Sequence, residues 1–539
     1  MAAMLNPAED HGWWRNALIY EVYPRSFSDS DGDGVGDLAG LIERLPYLAS
    51  LGVDGVWLTP FQPSPQIDQG YDISDYCDVD PLFGSMRVFD ELLGAAHRTG
   101  IRVLVDLVPN HTSTSHPMFR RAVAAKPGSP DRSLFHFRPG RGTAHERTPN
   151  NWLSVFGGPA WSRAPEQDPT DPDWYLHLFS SGQPDWNWEH PAVHDYFDGV
   201  LRFWFDRGAD GVRIDVAHGL YKQPGLPDSP AVPEVIDGLR SNPLAMDQEP
   251  VHDVYRRWRR IAESYRPARL LVGEVNLPAP RAARYTRPDE LHQSFAFTFT
   301  QLGWDASAWV RTGNELAAAR DAYASSTTWA LENHDLVRTA TRFGTGERGR
   351  RRGRAALLAL LGLPGAVYVY QGQELGLPEV DVPADRRRDP MWQRAAIGRD
   401  GARVPMPWTV ASTGTHGFSP PQAAEPWLPV PPGWGRYAVE AQTDAAGSTL
   451  ELFRTAVRVR RELLSPAGTS AGLSARWRLH ENGLVECARP DGISVFIAMD
   501  DEGARLPPGR ALLASDPLDK TGTLPPDTAV WWRHETYYR

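Results

Sequence analysis

Short apolar runs alternate with segments of helical period along most of this chain. Leu18–Tyr23, Gly55–Leu58, Ile101–Leu107, Gly211–Asp215, Leu270–Glu274, Ser294–Phe299, Thr327–Glu332 and Ala366–Tyr370 read as strands. Between them, Leu38, Leu41, Ile42, Leu45 and Leu48 recur at helical spacing, with Pro46 placed to bend that helix or mark its rigid edge. Phe89, Leu92, Leu93 and Ala96 repeat the pattern, as do Val193, Phe197, Val200, Leu201 and Trp204, and further helices are expected over 251–265 and 450–464. Eight strands with intervening helices predict an α/β fold, a (β/α)8 TIM barrel. The rhythm stops from 108 to 182, too long a stretch for a structureless loop, and predicts an inserted subdomain after strand three. The barrel then comprises 1–107 and 183–465, with a long Pro- and Trp-rich loop at about 377–447. Residues 466–539 alternate in short runs with turns, which predicts a small C-terminal antiparallel β domain.

Composition narrows the function. Hydrophobic residues make up 41% of the 539 residues and charged residues 23%, ordinary for a globular protein. The 20 Trp, 17 Tyr and 19 Phe are enough to build a core and also a sugar-binding cleft. A net charge of −11 disfavours nucleic acid and anionic membranes as partners. Cys77 and Cys487 lie too far apart in sequence for a disulfide framework or metal spacing and read as buried thiols. No leader pattern and no membrane-spanning apolar run is evident, so a cytoplasmic enzyme is expected, a monomer or weak homo-oligomer acting on a small molecule. The Arg348–Arg354 basic run reads as a solvated helix face or a mobile segment.

In such a barrel the residues that end the strands line the catalytic face. Here those ends are Asp106-Leu-Val-Pro-Asn-His111, Arg213-Ile-Asp215, Gly273-Glu274 and Glu332-Asn-His-Asp335. Arg213 and Asp215 alternate with apolar residues and so share one face of their strand. Read alone, they make either a structural ion pair or a carboxylate kept ionised and nucleophilic by its guanidinium. Glycosidic cleavage needs two acids in different states, one ionised and one able to donate a proton. Asp215 suits the first role; Glu274, after an apolar run, suits the second.

With these strand ends the chain resembles the α-amylase superfamily of glycoside hydrolases, in its α-glucosidase and oligo-1,6-glucosidase branch. Gln69-Gly-Tyr-Asp-Ile-Ser-Asp-Tyr76, Gln183-Pro-Asp-Trp-Asn-Trp-Glu-His190 and Arg399-Asp-Gly-Ala-Arg-Val-Pro-Met-Pro-Trp408 look like the same branch, and the likeness runs from about Trp13 to Trp408. The resemblance implies a retaining mechanism with Asp215 as nucleophile, Glu274 as acid/base and Asp335 gripping sugar hydroxyls. Such a pair is expected about 5–5.5 Å apart, passing through a covalent glycosyl-enzyme. By the same resemblance His111 and His334 bond the sugar being cleaved and Arg213 orients Asp215. Tyr71 stacks on the sugar, and Asp72 with Arg403 closes over its non-reducing end, giving exo action. The alternative for His111 and His334 is satisfied core histidine, and for Tyr71 simple wall packing. Asp385–Asp389 looks like the lid loop of the branch.

Asp29, Asp31, Asp33 and Asp37 alternate with small residues and leave a carbonyl at Val35, a pattern suited to a hard cation. The run resembles an EF-hand loop, whose closing glutamate it lacks, and the metal loop of oligo-1,6-glucosidase relatives. Structural Ca2+ is expected ahead of Mg2+, the alternative being a solvated acidic turn. In this branch valine directly after the nucleophile goes with α-1,6 cleavage, and Val216 stands there. The expected function is exo-hydrolysis of short oligosaccharides or α-glucosides at α-1,4 or α-1,6 bonds, with transglucosylation a companion outcome. The alternatives are a glucosyltransferase or isomerase of the same superfamily, a trehalose-, trehalose-phosphate- or sucrose-acting hydrolase, and, remotely, a non-catalytic amylase-like scaffold.

Overall fold

The computed structural model describes residues 12–535, apart from 231–233, 237–238, 324, 326, 394–397, 412–413, 464–474 and 520–521. Eight parallel strands form the central sheet: β1 (Leu18–Val22), β2 (Gly55–Leu58), β3 (Arg102–Leu107), β4 (Gly211–Ile214), β5 (Leu270–Gly273), β6 (Gln293–Ser294), β7 (Thr328–Trp329) and β8 (Ala366–Tyr370). Their order is β6-β5-β4-β3-β2-β1-β8-β7. A parallel bridge between Phe295 and Thr328 joins the two end strands and closes the sheet into a barrel.

Helices α1 (Leu38–Leu51), α2 (Met86–Arg98), α3 (Pro191–Arg207), α4 (Val251–Glu263), α5 (Ala306–Tyr323), α6 (Gly346–Gly362) and α7 (Thr449–Leu463) are the longer ones around it. Helix α1 shows how the boundaries arise: Asp37 caps its start through Gly40 N–H, and Gly52 ends it at φ 76°. Among the described residues no helix is long and apolar enough to cross a membrane.

Strands six and seven are shorter than their apolar patterns predict. After Ser294 the chain turns into the helical segment Phe297–Thr300, with Ala296 N–H bonded to Thr328 O at 3.0 Å. After Trp329 it bends so that the buried Glu332 accepts Thr339 N–H at 2.8 Å. Apolar composition alone does not distinguish a strand from a buried turn, which is why both runs read as strands.

Between β3 and α3 a three-stranded antiparallel sheet forms from Phe137–Pro139, Asp173–Leu176 and Trp161–Ser162, with the second strand in the middle. Arg132, buried there, binds Asp171 and, at 2.8 Å, Asp173. Beyond α7, strands β9 (Arg476–Leu479), β10 (Leu484–Ala488), β11 (Ile493–Ala498), β12 (Gly509–Ala514) and β13 (Thr528–His534) make an antiparallel sheet in the order β9-β10-β11-β13-β12.

That sheet packs on α5 and α6. A Cβ at Gly362 would sit 2.4 Å from the Trp531 ring nitrogen, and one at Gly313 would sit 2.5 Å from the Trp477 ring. Trp531 also donates to Leu358 O at 2.9 Å. The basic run is helical and only partly solvated: Arg348 and Arg352 both bind the buried Asp527, at 3.0 and 2.7 Å, while Arg348 and Arg350 stay substantially exposed. Cys487 is buried and Cys77 only half-buried; both are free thiols.

Trp531→Ala removes a buried indole from this contact and should cost about 3–5 kcal/mol. The shift in urea unfolding midpoint checks it, and an unchanged midpoint would contradict the packing described.

Candidate active site

Strand register brings the acids together. Across β3 and β4, Asp106 pairs with Arg213 and Leu107 with Ile214. Across β4 and β5, Ile214 pairs with Gly273, so Asp215 and Glu274 both leave the barrel one residue later at the same height. Arg213 is buried among them. Its Nη1 donates to Asp106 Oδ1 at 3.1 Å and to Asp215 Oδ1 at 2.7 Å, and its Nη2 donates to Glu274 Oε2 at 2.7 Å. The guanidinium lies 4.7 Å from the Trp57 ring centroid.

Val216, directly after Asp215, takes φ 42°, a left-handed conformation that a β-branched residue adopts only when its surroundings impose it. The turn delivers Val216 N–H to Glu274 Oε2 at 3.0 Å and Ala217 N–H to Glu274 O at 2.9 Å. Asp215 and Glu274 are thus held by the two terminal nitrogens of one guanidinium. Arg213 does not hold the Asp215 carboxyl down as expected. Burial and the Glu274 charge push that carboxyl well up, outweighing Arg213, and burial lifts Asp106 to about 6. Three acids crowd one cation, so the cluster holds a proton, as a pair of acids in different states requires.

The opposite wall has the reverse balance. Asp335 Oδ1 accepts from Arg403 Nη2 at 2.7 Å and Arg399 Nη1 at 3.1 Å. Burial opposes its ionisation, but the Arg399 and Arg403 guanidiniums hold it well below the usual carboxylate range. His334 Nδ1 lies 2.5 Å from Glu21 Oε1, deep at the end of β1. Burial lowers His334 to about 3 and raises Glu21 well above its usual range, so this couple is held neutral.

Tyr71, His111, Asp215, Val216, Glu274 and Asp335 line one cavity of about 670 Å3. Tyr71 stacks on His334 with centroids 5.2 Å apart and donates to Asp106 Oδ2 at 3.1 Å. His111 is placed by Tyr71 O at 3.1 Å and Gln183 Nε2 at 3.2 Å. Arg213 and His334 stand just behind this surface, both nearly inaccessible.

Two predicted members are misplaced. Asp72 does not reach the cavity; its carboxylate turns into its own loop, accepting Ile67 N–H at 2.9 Å, Asp68 N–H at 3.0 Å and Ser64 Oγ–H at 2.9 Å. Arg403, fully buried, supports the site from behind through His334 O at 2.9 Å, through Gln69 and through Asp335. The ion pair that closes the cavity is Asp68–Arg399, at 2.7 Å, with Asp389 bracing Arg399 at 2.8 Å. Asp68 and Asp72 lie one turn apart around the same Gly-Tyr pair, and spacing alone does not say which faces in. Glu21, at the end of the first strand, was the other omission, and as a lone acid in an apolar strand it was the visible signal.

In the acidic loop, carboxylate oxygens of Asp29, Asp31 and Asp37 lie within 4.8 Å of one another, a set that can converge on a divalent cation. Asp33 stands outside that set, exposed, with Oδ1 accepting Val35 N–H at 2.7 Å.

A barrel with two acids on one guanidinium, a third carboxylate opposite and a closed sugar-sized cavity defines a glycoside-cleaving enzyme. The family description "Alpha amylase, catalytic domain" matches residues 21–466, and the chain belongs to that family. A probable alpha-glucosidase of Rhizobium meliloti (strain 1021) is 39% identical over 85% of this chain and 84% of its own length. The oligo-1,6-glucosidase of Parageobacillus thermoglucosidasius is 34% identical over 84% of each. The crystal structure of the alpha-glucosyl transfer enzyme XgtA superposes with a TM-score of 0.85, at 33% identity, covering 97% of this chain and 100% of that one.

Burial lifts Asp72 to about 6, against an unfolded value near 4. A folded carboxyl raised in this way binds more protons than the unfolded chain between those values, so its contribution to stability falls as pH rises from 4 to 6. The difference amounts to about 3 kcal/mol. Unfolding free energy measured from pH 4 to 7 should therefore fall less steeply in Asp72→Asn than in the parent, and parallel curves would refute the assignment.

Proposed function

We propose that this chain is a retaining, exo-acting α-glucosidase that removes terminal glucose from short α-linked oligosaccharides or α-glucosides. One observation carries the reading: Arg213 holds Asp215 and Glu274 side by side on the floor of a cavity that Asp68 and Arg399 close at one end. A closed end admits one non-reducing terminal sugar, with Tyr71, His111 and Asp335 around it.

The terminal sugar binds against the two carboxyls, which both line the cavity. Asp215 then attacks the anomeric carbon while Glu274 passes its proton to the leaving oxygen, and the glycosyl-enzyme forms. Glu274, now the base, takes a proton from water, which attacks the same carbon and frees glucose with retained configuration. Asp335, kept ionised by two guanidinium groups, stabilises the positive sugar centre in both steps. Val216 borders the cavity beside the nucleophile and is the residue through which we expect the choice between α-1,4 and α-1,6 linkages to act. Glucosyl transfer to an acceptor other than water is the second reading, supported by the 33% identity with an alpha-glucosyl transfer enzyme over nearly the whole chain.

The same proposal assigns Asp29, Asp31 and Asp37, with the Val35 carbonyl and Asp33 nearby, to a structural Ca2+ rather than Mg2+. The oxygen-only donor set and turning backbone support it.

Asp215→Asn should lower kcat on maltose and isomaltose by on the order of 1,000-fold or more, as loss of a nucleophile does. NMR of the first product should show α-glucose; β-glucose, or full activity in the variant, would sink the mechanism. EDTA should lower the thermal midpoint of the parent, Ca2+ should restore it more fully than Mg2+, and Asp29→Ala should abolish the response. A midpoint indifferent to EDTA in the parent would remove the metal.

A further inference from the structure

The His334 ring is fixed in position and direction. Tyr71 and Tyr23 both lie nearly parallel to it, with centroids 5.2 and 5.7 Å away. Its Nδ1 lies 2.5 Å from Glu21 Oε1, and its backbone N–H reaches the same oxygen at 3.4 Å. The other ring nitrogen, Nε2, lies 3.4 Å from Asp335 Oδ1. Glu21 is fixed as well, because β1 is paired on both sides there, with Trp57 of β2 and Tyr370 of β8 opposite it.

Which nitrogen of a histidine carries the proton is set by the bond the other one makes. Were Glu21 a carboxylate, it would take the Nδ1–H and leave a bare Nε2 facing the Asp335 carboxylate, two acceptors with no proton between them. Were His334 an imidazolium, it would add a buried positive charge where Arg399 and Arg403 already donate to Asp335 Oδ1 and where Arg403 Nε also donates to His334 O. A protonated Glu21 beside a neutral imidazole avoids both conflicts.

The surroundings of Glu21 favour that state. Its side chain is 2% exposed, and among the described residues no Lys or Arg lies within ion-pair distance of it. Arg213, the nearest candidate in the barrel, spends its terminal nitrogens on Asp106, Asp215 and Glu274. A buried carboxylate with no cationic partner is costly, whereas a neutral acid with a hydrogen-bond acceptor is not. Burial pushes the Glu21 carboxyl up, and the charges of Asp335 and Asp106 add to it against the pull of Arg213.

We propose that Glu21 is a positioning residue that works as a neutral carboxylic acid: its Oε1–H donates to His334 Nδ1, which keeps the second proton on Nε2 and turns that N–H toward Asp335. Glu21 thereby acts through His334 on the carboxylate that faces the sugar, giving it a neutral N–H beside the two guanidinium groups. The part of Asp335 in the reaction rests on the α-glucosidase reading; the proton on Glu21 does not.

Two measurements test this. The infrared C=O stretch separates a protonated carboxyl from a carboxylate, so the difference spectrum of parent and Glu21→Gln, each carrying carbon-13 carboxyl-labelled glutamate, reads Glu21 directly. Loss of a protonated-acid band in Glu21→Gln is expected; loss of a carboxylate band overturns the proposal. In kinetics on maltose, Glu21→Met, close in size but with no donor, should lower kcat by about tenfold or more with KM changed by less than about threefold. Glu21→Gln, whose amide N–H can donate to Nδ1, should recover most of that loss. Equal losses in the two variants, or a loss confined to KM, overturn the positioning role. Because the infrared reading uses only the parent and Glu21→Gln, a Glu21→Met chain that does not fold leaves the donor assignment testable. A parent inactive on both maltose and isomaltose removes the α-glucosidase reading, and the infrared difference then decides the state of Glu21 by itself.

Discussion

Everything chemical in this protein hangs on one buried guanidinium. Arg213 contacts Asp106, Asp215 and Glu274 from the centre of the barrel, with the Trp57 ring beneath it. A lone buried cation of this kind would be strongly destabilising, and so would three uncompensated acids. Together they are tolerable only because parallel register sets Asp106 beside Arg213 and brings Asp215 and Glu274 out together just beyond it. The barrel supplies that register through β3, β4 and β5. The Arg213 cluster is thus a consequence of strand pairing, while loops bring Tyr71, His111, Asp335, Asp68 and Arg399 over it.

The remaining constraints act on what stands above that cluster. The left-handed turn at Val216 is strained by of order 1–3 kcal/mol, and it persists because its amide has Glu274 Oε2 to bond and because Ala217 is tied to Glu274 O and to the Tyr255 hydroxyl. Strain of this sort is stored where orientation matters. Both amide contacts hold the acid against the nucleophile turn, so Glu274 has little freedom to leave it without a ligand between them.

Much of this was legible in the chain. Six of the eight strands could be read closely from apolar runs, and the ends of strands three, four and five carried the decisive residues Asp106, Arg213, Asp215 and Glu274. What stayed hidden has physical reasons. Strands six and seven contribute two residues each to the sheet, too few for periodicity to register, and their apolar residues serve buried turns instead. Asp68 and Asp72 are chemically identical and four residues apart; only the fold of their loop turns one to the cavity and the other to Ile67 and Asp68 N–H. Arg399 and Arg403 show the same ambiguity on the opposite loop. The basic run on α6 looked solvated because its partner, Asp527, lies some 175 residues further along.

The two walls of the cavity divide the acid chemistry by counting cations. On one side Asp106, Asp215 and Glu274 share a single guanidinium in a buried setting, and a proton must stay among them. On the other, Asp335 alone accepts from both Arg399 and Arg403 and stays ionised. Double displacement asks for both conditions: a proton ready for the leaving oxygen and a fixed negative charge facing the sugar's developing positive one. Moving one arginine between the walls would abolish that division even with every acid in place. Arg213, Arg399 and Arg403 therefore define the catalytic arrangement as much as the three carboxylates do.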